Sequence, residues 1–314
     1  MSVICPAVFG ALITWITPLW LVAIGVAIAL AVLLVASRLL RLLVPQVSAI
    51  ARTTAKEATS QPLFYVVLAI GVFAILVFPF VPYNTFGDDV KVLKDQGLTL
   101  IMVLSIFLAL WTASVSVADE IEGRTALTVL SKPVGRRQFI LGKFMGIIGP
   151  VAILFIVLGA LFLCSVSYKV VYDARETANP EPSWQECRAE MLQIVPGLGL
   201  AFLETVVLAS ISVAISTRLP MMANLLICGS IYVLGHLVPM LVNTALGQLE
   251  YVGFVAQFLA TVLPVLDHFN IYTAVATGQD VPLGYLGWAA LYCAVYSAVA
   301  MLVALLLFED RDLA

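Results

Sequence analysis

Two ionisable residues lie deep inside apolar stretches, where their side chains could carry a proton. Glu204 lies in GLGLAFLETVVLAS, and His236 lies in the next apolar stretch. Since a carboxyl group in hydrocarbon costs at least ~2.5 kcal/mol, Glu204 should face other helices or a cavity. Counted along both helices from the turn at Thr217–Leu219, the two residues differ by roughly 6 Å in depth. We hypothesise a hydrogen-bonded pair lining a translocation path; a purely structural contact, or no contact, is the alternative.

A compact charged patch lies in residues 119–143, DEIEGRTALTVLSKPVGRRQFILGK, between two long uncharged stretches. Acidic residues open a helical turn, where the helix dipole favours negative charge, and two leucines then share one side of a short helix. Pro133 cannot continue this helix, and the basic residues after it anchor the next span at the headgroups. Such a helix fits a groove on another protein; an ordinary basic loop without a partner is the alternative. The candidate contact residues are Glu120, Glu122, Gly123, Thr125, Leu127, Leu130, Pro133, Arg136 and Arg137.

The composition is that of a membrane protein. Of the 314 residues, 62% are hydrophobic and 11% are charged, whereas soluble domains are nearer one quarter charged. The net charge of -3 and the lack of a basic stripe argue against a nucleic-acid partner. The five cysteines are scattered without a CxxC spacing, and the adjacent Asp267 and His268 rarely suffice as ligands. We therefore expect no metal site, disulfide framework or cofactor.

Uncharged stretches long enough for a bilayer predict an all-α, polytopic membrane protein with about seven transmembrane helices. Residues 1–37 carry no charge, so we interpret this region as a retained span and not as a cleaved leader. With the N-terminus outside and the C-terminus cytoplasmic, eleven Lys and Arg residues face the cytoplasm and five face outward. The acidic, Pro-containing segment after the fourth span is then an exposed outer loop. The predicted spans are 14–37, 63–82, 97–118, 142–167, 194–217, 220–243 and 284–308.

Two further segments are too apolar for simple loops and too short or polar for spans. In residues 46–60, Val47, Ile50, Ala51, Thr54 and Ala58 share one helical face, and Ser48, Arg52, Lys56 and Glu57 share the other. This pattern predicts an amphipathic interfacial helix over 46–62, with a plain linker as the alternative. Residues 250–281 contain a broken apolar run with Pro264 inside it, which predicts a re-entrant or interfacial hairpin at the outer end of the bundle.

The run EIEGRTALTVLSKPVGRRQFILGK resembles the cytoplasmic loop of ABC-2 type transporter permeases. That loop commonly has an acidic pair, a Gly/Thr turn, a leucine-rich helix, a small residue, Pro, Arg and then Gly-Lys. Here Arg124 separates Gly123 from Thr125, whereas the family usually has glycine directly before the threonine. The matching residues are Glu120, Glu122, Thr125, Leu127, Leu130, Ser131, Pro133, Arg136 or Arg137, Gly142 and Lys143.

The resemblance extends to the organisation of residues 46–308. It implies a six-helix permease domain over 63–314 with a cytoplasmic coupling loop at 119–141 and an outer re-entrant element at 250–281. The helix in residues 1–45 is an extra N-terminal span relative to that core.

The resemblance also implies a function and partners. It makes the chain the permease subunit of an ABC exporter in the cell (inner) membrane, surrounded by lipid. A separate ABC ATP-binding subunit would dock on the coupling loop, and a second permease copy, identical or a sister chain, would pair with this one. No GxxxxGK[ST] phosphate loop occurs in the sequence, so ATP hydrolysis is expected on the partner and not here.

Two other functions are weaker. A proton-coupled secondary transporter would use Glu204 as its proton carrier, but the chain has one isolated intramembrane acid and no visible internal repeat. An intramembrane enzyme built on His236 and Ser230 would lack both a GxSxG elbow and an HExxH motif.

Overall fold

The computed structural model describes residues 14–81, 83, 89–118, 135–177, 180–243, 250–271, 274–275, 278–279 and 281–309. These residues form helices, and no β-strand occurs among them. The α-helices are α1 (Leu19–Leu43), α2 (Pro45–Ser60), α3 (Pro62–Val77), α4 (Asp89–Ala113), α5 (Arg136–Glu176), α6 (Trp184–Ser216), α7 (Met221–Asn243), α8 (Glu250–Val262) and α9 (Leu283–Glu309). A π-helical turn, Ser114–Ala118, extends α4.

Seven of the described helices are long and apolar enough to cross a membrane: α1, α3, α4, α5, α6, α7 and α9. The predicted all-α class and the predicted number of spans are therefore confirmed. The helix α8 has only 13 residues, roughly 20 Å, which is shorter than the ~30 Å hydrocarbon core of a bilayer.

The helices α5 and α6 are much longer than the predicted spans. They have 41 and 33 residues, roughly 60 and 50 Å at 1.5 Å per residue, so both extend beyond the hydrocarbon core. The prediction of an exposed loop after the fourth span is wrong over most of that segment. The helix α5 continues to Glu176, and α6 begins at Trp184. The Ser183 hydroxyl caps α6 by accepting a hydrogen bond from the Glu186 backbone N–H. Ion pairs between the extended helices, described below, explain why these polar residues remain helical.

The helices α4, α5 and α6 form the core of the bundle. Two thirds of the most apolar window is buried in α4 and in α6, and half of it is buried in α5. In α1 that fraction is 6%, so this helix lies at the periphery. The chain just before α1 is held by a hydrogen bond of 2.9 Å from the Ser167 hydroxyl to the Trp15 carbonyl oxygen.

The segment predicted to be an amphipathic helix forms α2, and its less polar face packs on α5. Val47, Ala51, Thr54 and Ala58 are buried there. Ser48, which the sequence pattern assigns to the polar face, is also buried. The close approach is possible because α5 has glycines on its side of the contact. A Cβ atom on Gly142 would lie 2.6 Å from the Ile50 Cβ atom, and a Cβ atom on Gly146 would lie 2.6 Å from the Thr54 Cβ atom.

The segment predicted to be re-entrant packs against α7 and α9 after α8 ends. After α8 ends at Val262, the Val265 backbone N–H donates to the Tyr292 hydroxyl over 3.0 Å. Leu266 is fully buried next to Gly235 of α7. Tyr292 and Gly235 each lie eight or nine residues from the nearer end of their helix, which corresponds to roughly 13 Å. The turn therefore lies inside the bundle, whereas Asp267 and His268 are exposed.

Candidate functional site: a buried carboxyl–imidazole pair

Most of the predicted partner-contact residues lie outside the described residues: Glu120, Glu122, Gly123, Thr125, Leu127, Leu130 and Pro133. Arg136 and Arg137 are described, and both are exposed in the first turn of α5. The Gln138 side-chain oxygen accepts from the Gly135 backbone N–H over 3.0 Å and so caps this helix. A cavity of about 390 Å³ lies between this first turn and Leu305 of α9.

Glu204 and His236 are the two predicted residues that the fold brings together. Glu204 is on α6, His236 is on α7, and the distance from Oε1 of the carboxyl group to Nε2 of the imidazole is 3.5 Å. This distance is within ion-pair reach but longer than a well-formed hydrogen bond, and neither carboxyl oxygen has a hydrogen-bond partner among the described residues. The Glu204 side chain is 0% exposed, and the His236 side chain is 23% exposed.

The backbone of α7 orients the imidazole of His236. Its Nδ1 lies 3.1 Å from the carbonyl oxygen of Tyr232, one helical turn earlier. The Tyr232 ring also contacts the imidazole, with ring centroids 4.9 Å apart. These contacts direct Nε2 towards α6, so the pair can exchange a proton between a carboxyl oxygen and an imidazole nitrogen.

A buried polar cluster, which the sequence analysis did not identify, joins α4, α6 and α7 near the predicted coupling loop. The Asn224 side-chain nitrogen lies 2.7 Å from the hydroxyl of Ser114, 2.7 Å from that of Ser212 and 2.9 Å from that of Ser216. Asn224 is fully buried, and Cys228 donates to its side-chain oxygen. The available signal was the spacing of Ser212 and Ser216, which are one helical turn apart near the end of α6. Ser114 is the first residue of the π-helical turn, so Asn224 contacts the chain five residues before residue 119.

Two buried lysines stabilise the parts of α4, α5 and α6 that extend beyond the predicted spans. Lys94 forms an ion pair with Glu190 and donates to the Gln193 side-chain oxygen over 2.7 Å. From the sequence alone these lysines were informative only as markers of orientation.

The second lysine, Lys169, lies 3.3 Å from a carboxyl oxygen of Asp89 and within 6 Å of the rings of Tyr83 and Tyr172. Burial, with a smaller contribution from nearby Asp89, raises the pKa of Tyr83. Asp89 forms a cluster of carboxyl groups with Asp173 and Glu176, whose oxygens lie within 4.8 Å of one another. The Lys169 ammonium, through its pair with Asp89, places a cation at this cluster.

Comparison with known proteins adds no assignment to these observations. No protein-family model matches the chain, and no curated protein matches it. The resemblance to ABC-2 permeases therefore rests on the residues of the chain.

Proposed function

We propose that this chain is the membrane-embedded permease subunit of an ATP-driven exporter, with ATP hydrolysis on a separate chain. The observation that carries the proposal is the charged, leucine-bearing loop at 119–141 between two membrane-spanning helices. The lack of a phosphate-binding GxxxxGK[ST] motif in the sequence supports a separate ATP-binding subunit. Seven apolar helices supply the membrane domain that such a subunit would move.

The charge distribution supports an orientation in which this loop is cytoplasmic. Eleven of the sixteen Lys and Arg residues then lie on the cytoplasmic side, with the N-terminus outside and the C-terminus inside. This orientation would bring the loop to the side where ATP is available. We extend the proposal to a pair of permease chains, identical or sister, in the cell (inner) membrane, each docked to one ATP-binding subunit.

The helices on both sides of the loop suggest how a push on it would be transmitted. On one side, α5 and α2 would move together, because they pack without a gap at Gly142 and Gly146. On the other side, Ser114 connects the end of α4 to α6 and α7 through Asn224. Closure of the ATP-binding subunits would therefore move α4 and α5 together with the helices bonded to them, and would open a path between the two permease chains.

The test is purification of the full chain from native membranes in mild detergent, with ATP hydrolysis measured in the eluate. We expect a copurifying ATPase that is lost when Glu120 and Glu122 are both changed to Lys. Glu57, an exposed acidic residue of α2, supplies the control: Glu57→Lys should retain the ATPase. Retention of the ATPase in the double reversal, or labelling of a cysteine at position 124 or 137 from outside the cell, would contradict the proposal.

A second candidate, a proton-coupled secondary transporter, is favoured by one observation, the buried Glu204 carboxyl group beside His236. It predicts transport that continues after ATP depletion and stops when the proton gradient is dissipated. An ATP-driven permease shows the opposite pattern, so one transport assay separates the two.

A further inference from the structure

The carboxyl group of Glu204 is in an environment that strongly disfavours a bare negative charge. Both oxygens are fully buried, and neither has a hydrogen-bond partner among the described residues. An isolated carboxylate in an apolar interior is very costly, so such a group is neutralised or paired. Among the described contacts, His236 is the group within ion-pair reach.

The orientation of the imidazole shows where a proton must be. A carbonyl oxygen can only accept, so the 3.1 Å contact with the Tyr232 carbonyl assigns a hydrogen to Nδ1 of His236. In a neutral imidazole Nε2 then has only a lone pair, and it faces Oε1 of Glu204 at 3.5 Å. If Glu204 were ionised at the same time, two electron-rich atoms would face each other. One proton between these atoms removes the conflict.

That single proton has two arrangements. In one, Glu204 is a carboxylic acid whose O–H donates to Nε2. In the other, the O–H bond has broken and an Nε2–H bond has formed, which gives a carboxylate and an imidazolium. Both contain the same number of protons and have no net charge, so the pair can hold a proton without placing a net charge in the apolar interior.

The surroundings favour the carboxylic acid form. The turn after α8 contributes Asp267, which is close enough to interact electrostatically with Glu204 and disfavours a second negative charge. The neighbouring neutral groups are Tyr232 of α7 and Cys293 of α9, whose thiol donates to the Leu203 carbonyl over 3.4 Å.

The central parts of the other two core helices carry no fixed cation. No charged residue lies between Asp95 and Asp119, an interval that covers α4 after its first seven residues, and none lies between Lys143 and Lys169 of α5. The titratable groups in that interval of α5 are Cys164 and Tyr168.

We infer that Glu204 and His236 form a proton-binding site, in which Glu204 is a carboxylic acid whose O–H faces Nε2 of His236 across 3.5 Å and the proton exchanges through His236. We place the route through His236 because its side chain reaches the surface of the chain, with 23% exposed, whereas the Glu204 side chain is 0% exposed. The inference concerns protonation and not the energy source, so it applies to an ATP-driven and to a proton-coupled transporter alike.

The test is infrared spectroscopy of the purified full chain in lipid at neutral pH. We expect the carbonyl stretch of a protonated carboxylic acid, with a downshift in D₂O, and loss of this band in Glu204→Gln. Glu190→Gln on the same helix is the control, because Glu190 pairs with Lys94 as a carboxylate. A band that persists in Glu204→Gln, or a wild-type spectrum without any such band, would overturn the inference.

A second variant keeps Glu204 and so remains informative if Glu204→Gln does not fold. In His236→Asn we expect the carboxylic acid band to remain but to shift, because the imidazole acceptor is gone. We also expect its D₂O shift to develop more slowly, since exchange passes through His236. An unshifted band would refute the contact with Nε2, and an unchanged exchange rate would refute the route.

Discussion

The contact between α2 and α5 supplies a sharp test of the packing, through Gly146→Ala. A Cβ atom at Gly146 would lie 2.6 Å from the Thr54 Cβ atom and 2.8 Å from the Ala51 carbonyl oxygen. A backbone carbonyl cannot rotate away as a side chain can, so α2 must move outward. Restoring an ordinary carbon–carbon contact of about 3.6 Å requires a displacement of about 1 Å.

The energy follows from two opposing effects. Alanine is favoured over glycine in a helix by roughly 1 kcal/mol, and overpacking a close contact costs about 1–3 kcal/mol. For Gly146→Ala we therefore expect a net destabilisation of about 1 kcal/mol. Gly149 lies one turn further along α5, and a Cβ atom there would lie 3.5 Å from the Ala55 Cβ atom, an ordinary contact. Gly149→Ala should thus stabilise the protein by up to ~1 kcal/mol and is the matched control.

The assay uses a cysteine on the buried face of α2 as a reporter. Ser48 is 6% exposed, and Ser48→Cys is close to isosteric. In Ser48→Cys chains, Gly146→Ala should speed maleimide labelling about fivefold, the factor that corresponds to about 1 kcal/mol. Chains without Ser48→Cys give the background from the native cysteines. Equal labelling rates and equal thermal unfolding midpoints for Gly146→Ala and Gly149→Ala would refute the packing argument.

Three further predictions follow from other contacts. Asn224→Ala removes the donor that joins three helices and should lower the free energy of unfolding by about 1–3 kcal/mol. The thermal midpoint in detergent should therefore fall. An unchanged midpoint would contradict the hydrogen bonds of this cluster. Lys169→Met should be strongly destabilising, because it removes the ion-pair partner of the Asp89 carboxylate. Asp89→Asn should then lower the free energy of unfolding much less in Lys169→Met than in the wild type, since both changes remove the same pair. Additive effects in this double-mutant cycle would argue against the pair. Gly235→Ala would put a Cβ atom 2.8 Å from a Leu266 methyl carbon and 3.0 Å from the Pro264 carbonyl oxygen. We therefore expect the turn after α8 to become protease-sensitive. Unchanged digestion would show that the turn does not pack against Gly235.

Apolar length and helical periodicity predicted the positions of the main elements before any tertiary contact was known. The seven spans follow from the length of uncharged sequence that a bilayer requires, a constraint that each segment meets by itself. The face of α2 likewise follows from the 3.6-residue repeat, apart from Ser48, which is buried although the pattern assigns it to the polar face. The depth of Glu204 and His236 was also predictable, because 1.5 Å per residue sets distance along a helix. The coupling residues from Glu120 to Pro133 remain a prediction from the sequence.

The tertiary structure decided what depends on two segments at once. Residues 168–176 and 184–193 are polar enough for a loop, yet they are helical because Lys169 meets Asp89 and Lys94 meets Glu190 across helices. Periodicity in one helix cannot reveal that Asn224 meets Ser114, since these residues are 110 positions apart. The same limit applies to the 3.5 Å between Glu204 and His236: sequence sets the depth of each residue, but only the rotation of α6 against α7 sets whether the side chains meet.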